Sequence, residues 1–343
     1  MKVLSLFDGM SCGQIALKQL GIIPEVYYAS EIDKFAIKQT QLNFPDTVQL
    51  GDVAEWEGWD IDWGSIDLIL AGSPCQGFSF AGKQLAFDDP RSKLFFVFID
   101  ILNHIRSLNP DVLFLLENVN MKKDYMKVIS EYCGVSPVNI NSNLVSAQNR
   151  NRYYWTNICE HIPQPVDKGI LLKDILEDEV DEKYYITSKC LGYITQEFRF
   201  PEKYTQMANG RVSQIDDYIT VAMRGREACL TPRRTEYGKA IRKDYEAGKV
   251  KEQRKNIQRL EPRYDGKTNC LTSVQKDNLI TDTERVRRLT PTECARLQTV
   301  PDWYKWECSD TQQYRMLGNG WTVDVIAHIL SFIKNNKHGN KKY

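Results

Sequence analysis

The chain has 343 residues, 42% hydrophobic and 26% charged, which is enough for a sizeable core and too long for one small module. Its 45 Lys and Arg balance 45 Asp and Glu, excluding a protein that coats nucleic acid or membrane by bulk positive charge. Mean hydropathy is -0.45, no apolar run nears the roughly 18 residues of a membrane-spanning helix, and nine cysteines without a CxxC pair exclude a disulfide framework or structural zinc site.

Val3, Leu4, Leu6 and Phe7 read as a buried strand entering a glycine turn and not as a signal segment. Through residue 140, short apolar runs alternate with helix-compatible stretches. Val3–Phe7, Val26–Ser30, Leu68–Ala71 and Val112–Leu116 are short and bounded by breakers, which predicts buried strands. Gln14–Leu20, Lys34–Asn43 and Lys93–Ser107 carry helical spacing; in the last, Leu94, Val97, Phe98, Ile101 and Ile105 make an apolar face. This alternation predicts an α/β fold, with a mostly parallel sheet covered on both faces and ligands at the carboxyl ends of its strands.

From Pro163 onward the pattern dissolves. Residues 187–285 hold short β-like pieces, turn residues and many Lys and Arg without a sustained period. Order returns at Thr290–Leu297. Near the end, Ser309 with Gln312 reads as a capping box, and Val323, Ile326, Ala327, Leu330 and Ile333 form a helical stripe before a polar, frayed Lys337–Tyr343. Charge follows the same division: residues 199–288 hold 21 Lys and Arg against 13 Asp and Glu, and the rest holds 24 against 32. A basic segment on an acidic body is either a phosphate-facing surface or a solvated, loop-rich one.

Four places carry candidate chemistry. The run Leu6-Phe7-Asp8-Gly9-Met10-Ser11-Cys12-Gly13 puts glycines between a strand and a helix, where the backbone approaches a ligand or merely turns. Glu31, about 20 residues on, stands where an acid holds ribose hydroxyls, and Gly51-Asp52-Val53 is placed to read an adenine amino group. Together they point to a nucleoside-containing cofactor, and the lack of a basic residue in the turn fits one without phosphates. Cys75 follows the Leu68–Ala71 strand beside Pro74, placed as a nucleophile and not as the small buried hydrophobe most cysteines are. The loop Gln76–Arg91 is long, glycine-punctuated and aromatic, as a closing lid is. Glu117, ending the Val112–Leu116 run, is either paired with a base or used as an acid. Arg150 and Arg152, at i and i+2, point the same way from a strand; they orient a planar acceptor or carboxylate, or form a surface ion-pair strand.

The order of these runs resembles the C5-cytosine DNA methyltransferases: FDGMSCG, Glu31, Gly51-Asp52-Val53, Ser73-Pro74-Cys75-Gln76-Gly77-Phe78-Ser79, Glu117-Asn118-Val119 and QNRNR over 148–152. After a variable segment come RxLTPxExARLQ (Arg288, Arg296, Leu297, Gln298) and Gly318-Asn319-Gly320-Trp321. FDGMSCG replaces the family's usual FAGxGG, and GNGW its GNA or GNS, changes that alter packing around the cofactor without removing it.

The resemblance implies a Rossmann-like, mixed, mainly parallel α/β sheet of the S-adenosylmethionine-dependent methyltransferase type, with a smaller, irregular target-recognition domain. Residues 1–160 would be catalytic and cofactor-binding, 161–286 the recognition region, and 287–343 a return to the catalytic domain. It implies methyl transfer from S-adenosylmethionine to C5 of cytosine in a specific double-stranded DNA sequence, on a flipped-out base, through a covalent Cys75–C6 adduct. Glu117 would hold N3 and the exocyclic amine and donate a proton to N3, Arg152 would bind O2, and Arg150 would support the loop or a phosphate. Cofactor contacts would come from Phe7, Asp8, Gly9, Met10, Gly13, Glu31, Ile32, Asp52, Val53, Pro74, Asn319 and Trp321. DNA would be met by Gln76, Ser79, Arg91 and Gln148, and in the recognition region by Arg224, Arg226, Arg233, Arg234, Arg254 and Arg263, as guanine readers or phosphate contacts. The turns Ala228-Cys229-Leu230-Thr231 and Asn269-Cys270-Leu271-Thr272 would frame loops reaching the DNA. No metal or membrane is implied. The expected protein is a cytoplasmic monomer of a bacterial or phage-infected cell, with a restriction endonuclease as a functional, not physical, partner. An RNA-modifying relative would carry SPCQPFT, and a silent binder would have lost Cys75 or Glu117; neither departure occurs.

Overall fold

Leu4, Leu6, Leu68, Ile69, Leu70, Phe114, Leu115 and Leu116 have no exposed surface, because their strands are covered on both faces. A computed structural model describes residues 1–73, 93–187, 228–263, 265–273, 278–281 and 285–333. Pro74, Cys75, Gln76, Ser79, Arg91, the whole Gln76–Arg91 loop, Arg224, Arg226 and the terminal Lys337–Tyr343 lie outside the described residues. Two compact units are present, one of Met1–Val145, Arg150–Lys168 and Gln298–Tyr343, the other of Ser146–Asn149 and Gly169–Leu297.

The first unit is a seven-stranded sheet: β1 (Lys2–Leu6), β2 (Val26–Ser30), β3 (Val48–Gln49), β4 (Ile66–Ala71), β5 (Leu113–Val119), β6 (Val138–Asn141) and β7 (Asn151–Thr156). Its order is β3-β2-β1-β4-β5-β7-β6. The first five strands are parallel, and β7 runs antiparallel to both β5 and β6. The chain winds outward one way from β1 through β2 to β3 and the other way from β4 to β5, so a topological switch point falls between β1 and β4. Register then sets the site: Ser30 lies opposite Leu6, Leu6 opposite Ala71, and Ala71 opposite Leu116. The next residues, Glu31, Phe7, Gly72 and Glu117, form one row across the carboxyl edge.

Helices α1 (Cys12–Gln19), α2 (Lys34–Asn43), α3 (Lys93–Leu108) and α4 (Lys123–Cys133) connect these strands. Asp33 caps α2 by accepting from Phe35 N at 3.0 Å. The buried stripe of α3 is Phe95, Phe98, Ile99, Ile101, Leu102 and Ile105. The expected Leu94 and Val97 sit at its half-buried margin, so the stripe is turned from the predicted one. Helix Asp310–Asn319 opens with Ser309 N donating to Gln312 Oε1 at 3.0 Å, as the capping box requires. Helix Val323–Leu330 buries Val323, Val325, Ile326, Ile329 and Leu330 completely, at about 2 kcal/mol each.

The second unit has an antiparallel sheet of order β11-β10-β8-β9, from β8 (Ala228–Arg234), β9 (Gln258–Pro262), β10 (Leu279–Thr281) and β11 (Val286–Arg288). Ala228–Thr231 is therefore a strand and not the turn its residues suggest. Leu230, Leu260, Leu279 and Val286 form a small core cluster on this sheet, with Ile186 packed against it, and Cys229 and Ile280 are buried as well. It is reinforced by an ion pair closed to solvent: Arg287 Nη1 and Nη2 donate to Glu293 at 2.8 and 3.0 Å. Thr290 N and Glu177 N also donate to that carboxylate, satisfying it fully.

Candidate active site

The turn after β1 is held in an unusual backbone. Phe7, Gly9 and Ser11 all have positive φ, at 59°, 59° and 64°. Two of the three are not glycine, a strain of about 1 kcal/mol or more each that persists where surrounding structure over-determines it. Asp8 N donates to Ser30 O at 3.1 Å, and Gly9 N donates to Glu31 Oε2 at 2.8 Å. Glu31 Oε1 accepts from Ile32 N and Asp33 N, each at 2.8 Å, so this carboxylate laces the β1 turn to the end of β2.

Asp8 points into the protein. Tyr27 Oη donates to its Oδ1 at 2.9 Å, and its Oδ2 is enclosed without a hydrogen-bond partner among the described residues. Burial pushes the Asp8 carboxyl up to about 6, against the opposing pull of the Ser5, Ser11 and Tyr27 hydroxyls. Gly13 allows this arrangement: a Cβ there would lie 2.5 Å from Leu70 Cδ1 and 2.8 Å from Tyr27 Oη. Its role is close packing of α1. Cys12 beside it is no nucleophile, since burial pushes its thiol up to about 12.

Other expected cofactor residues divide. Phe7 is partly buried against the main core, Ile32 is 73% exposed, and Asp52 is exposed while capping the short helix Val53–Gly58 through Ala54 N at 2.9 Å. Met10 and Val53 are instead buried, Val53 within the core and Met10 with its carbonyl held by Tyr304 Oη at 2.8 Å. Asn319 is exposed at the end of its helix. The Trp321 indole lies against Gly72, the residue after β4, where a Cβ would fall 2.8 Å from Nε1. Arg150 and Gln298 fix this loop: Gly320 O accepts from Arg150 Nη2 at 2.8 Å and from Gln298 Nε2 at 3.1 Å. Gln298 Oε1 in turn accepts from Thr322 Oγ1 at 2.9 Å.

Across the row, Glu117 lies within β5 and its Oε1 stands 3.0 Å from Arg152 Nε on β7. The side chains are 12% and 14% exposed. Asn118 Nδ2 donates to Ser73 Oγ at 3.3 Å, tying the end of β5 to the residue that enters the Cys75 loop. Arg150 and Arg152 do not act as one pair, because Arg150 precedes β7 and turns to the Gly318–Gly320 carbonyls.

In the second unit Gln148 is fully buried, with Nε2 donating to Leu297 O at 2.6 Å and Oε1 accepting from Leu271 N at 3.2 Å. It is a brace and not the DNA contact expected. Arg234 Nη2 donates to Glu246 at 2.9 Å, and Arg263 is held by Asp265 and Asn269. Arg233 lies on β8 and Arg254 opens the short helix Arg254–Ile257. The buried arginine of the RxLTPxE run is Arg287; Arg288 donates to Lys183 O at 2.8 Å. Tyr27, Tyr304 and Glu293 escaped the sequence reading, and only the Arg287–Glu293 spacing across a strand and a helix start could have shown one of them. Among the described residues there is no cluster of His, Cys, Asp and Glu suited to a metal, and no helix is long and apolar enough to cross a membrane.

A parallel sheet with an acid at the end of β2, a strained turn after β1 and a carboxylate–arginine pair across β5 and β7 is the framework of an α/β methyltransferase. The model of the C-5 cytosine-specific DNA methylase family matches residues 1–335. The chain belongs to that family and is a DNA cytosine-5-methyltransferase. It is 30% identical to the type II methyltransferase M.HpaII of Haemophilus parainfluenzae over 94% of this chain and 86% of that one. It is 28% identical to M.NlaX of Neisseria lactamica over 97% and 96%. Among solved structures, the Entamoeba histolytica methyltransferase EhMeth superposes with a TM-score of 0.62 over 98% of both chains at 17% identity, a likeness of fold.

Proposed function

We propose that the protein methylates C5 of cytosine in one short double-stranded DNA sequence, with S-adenosylmethionine as donor and Cys75 as nucleophile. The observation that supports this reading is the row Glu31, Phe7, Gly72 and Glu117 along one sheet edge, where cofactor and base would meet. The chain's residues fit the cofactor. Asp8 Oδ2 is a buried acceptor lacking a donor, which an α-ammonium would supply. Glu31 is the acid for the ribose, the exposed Ile32 and half-buried Phe7 are apolar surfaces for adenine, and Trp321 closes the end of β4. When bound, S-adenosylmethionine supplies an electrophilic methyl group on a sulfonium.

Cytosine C5 is a weak nucleophile until its ring is broken from aromaticity. The Cys75 thiolate adds to C6, forming the S–C6 bond and sending the ring electrons toward C5, while Glu117 delivers a proton to N3. Arg152, already beside Glu117, holds O2 and keeps the carboxyl oriented. After C5 is methylated, loss of the C5 proton to solvent water, expulsion of the Cys75 thiolate and return of the N3 proton to Glu117 restore the ring and both side chains. A base inside a duplex exposes neither C6 nor N3 to these groups, so the cytosine is flipped out to meet them. Residues 161–286 recognise the target, with the basic stretch 199–288 facing its phosphates. The chain acts in the cytoplasm of a bacterial or phage-infected cell, as a modification enzyme beside a restriction endonuclease.

The test is incubation with tritiated S-adenosylmethionine and unmethylated genomic DNA, followed by bisulfite sequencing. Label at C5 of cytosine within one context is expected. Label on RNA alone would replace DNA as the substrate, and label on neither would make the protein a binder.

A further inference from the structure

Arg263 follows β9, and its N donates to Cys229 O on β8 at 2.8 Å, so the side chain starts from a fixed point of the second sheet. Its Nε donates to Asp265 Oδ1 at 3.0 Å, its Nη2 to Asp265 Oδ2, and its Nη1 to Asn269 Oδ1 at 2.9 Å. A guanidinium carries five N–H donors in a rigid fork. These contacts engage one on each nitrogen and leave one on each terminal nitrogen. Two terminal donors of one plane are what guanine O6 and N7 accept in a major groove. The side chains of Arg263 and Asp265 are 23% and 46% exposed, so the fork is held at a surface. Arg287, by contrast, is sealed against Glu293. Arg234 shares the single oxygen Glu246 Oε1 with Arg242, which leaves its plane unfixed.

Asp265 has further partners. Its Oδ1 also accepts from Lys267 N at 3.1 Å and its Oδ2 from Asn149 Nδ2 at 3.2 Å. Asn149 N donates to Thr268 O at 3.0 Å, and Asn149 directly precedes Arg150 in the chain, three residues before Arg152. The carboxylate that fixes the Arg263 plane therefore also holds Asn149 of the same unit.

From this geometry we infer that Arg263 reads a guanine of the DNA target, and that Asp265 is a positioning residue that sets the Arg263 plane and ties its contact to Asn149. The inference rests on the proposed DNA-methylating reading and names a base-specific contact within it. An arginine already immobilised loses little freedom on meeting its base, which favours discrimination over general phosphate attraction.

The test uses the full chain, S-adenosylmethionine and DNA with randomised sequence around a cytosine, read by bisulfite sequencing. The wild type is expected to require at least one guanine. Arg263→Ala and Arg263→Lys are expected to make one guanine position degenerate, with preference there falling about ten- to a hundredfold, while other positions hold. Asp265→Ala is expected to blur the same position less than Arg263→Ala does and to leave the others unchanged, because Asn269 still holds Arg263 Nη1. Should Arg263→Ala not fold, Arg263→Lys keeps the stem and charge and carries the comparison. Variants that keep the wild-type context at every position, only slower, would overturn the inference and leave Arg263 a structural or phosphate contact. A wild-type protein that methylates no cytosine would overturn the reading beneath it.

Discussion

Arg152 on β7 reaches diagonally to Glu117 on β5, two residues off the Glu117–Tyr154 register, and the two side chains meet almost out of water. Each group therefore depends on the other for its solvation, and neither is a free-standing catalytic side chain.

Glu117→Gln is expected to lower kcat by about a hundred- to ten-thousandfold with little change in cofactor affinity, since it removes proton delivery to N3. Arg152→Ala is expected to cost about 3 kcal/mol of stability by stranding an enclosed carboxylate. The double variant Glu117→Gln, Arg152→Ala should lose less stability than Arg152→Ala alone. Urea unfolding of all three checks this, and strictly additive losses would show that the pair is not coupled.

Asp8 gives a pH signature. Its carboxyl is raised by burial from 3.8 to about 6, so between about pH 4 and pH 6 the folded protein holds a proton that the unfolded chain has released. Stability of the ligand-free protein therefore falls as pH rises through that window, by about 3 kcal/mol at most. Asp8→Asn should flatten this slope in thermal unfolding across pH 4 to 7. Calorimetric S-adenosylmethionine binding should tighten as pH rises through about 6 in the wild type and lose that dependence in the variant. Glu31 and Tyr27 also act on Asp8, and Cys12 and Tyr304 feel its charge; all four residues stay in place in the variant.

Gly13→Ala tests the packing beneath the turn. The new methyl would press on Leu70 Cδ1 and the Tyr27 hydroxyl, so a loss of about 1–3 kcal/mol is expected. Weaker S-adenosylmethionine binding should accompany it, because Tyr27 holds Asp8. Unchanged binding in a destabilised variant would separate packing from the site.

Cys75→Ser should abolish methyl transfer while leaving S-adenosylmethionine binding near normal, as an alcohol is a far weaker nucleophile than a thiolate. Turnover above a tenth of wild type would rule out the covalent route.

The parallel half of the sheet was legible because β1, β2, β4 and β5 are continuous apolar runs, and α2 begins and ends where the spacing places it. The antiparallel margin was not: β7 opens with Asn151 and Arg152, and α4 has few buried positions to set a period. Pro232 and Pro262 argue against β8 and β9, yet both strands form, Pro262 at an end and Pro232 opposite Leu260. Strand-end acids were visible as residue types, but Tyr27 could be linked to Asp8 only by the fold. Gln148 misled because a polar side chain in a charged run suggests solvent, while its amide is spent on Leu297 and Leu271.

The second unit takes in Ser146–Asn149 although first-unit residues stand on both sides of that stretch. Lys267 Nζ, Thr268 N, Leu271 N and Leu297 O all bond to these four residues. If the second unit recognises the target as proposed, new specificity is encoded in two separated stretches of gene. Recombination that exchanges only residues 169–297 would join a foreign recognition segment to a resident clip shaped for another, and successful exchanges should carry both pieces or repair the seam with compensating changes at 146–149.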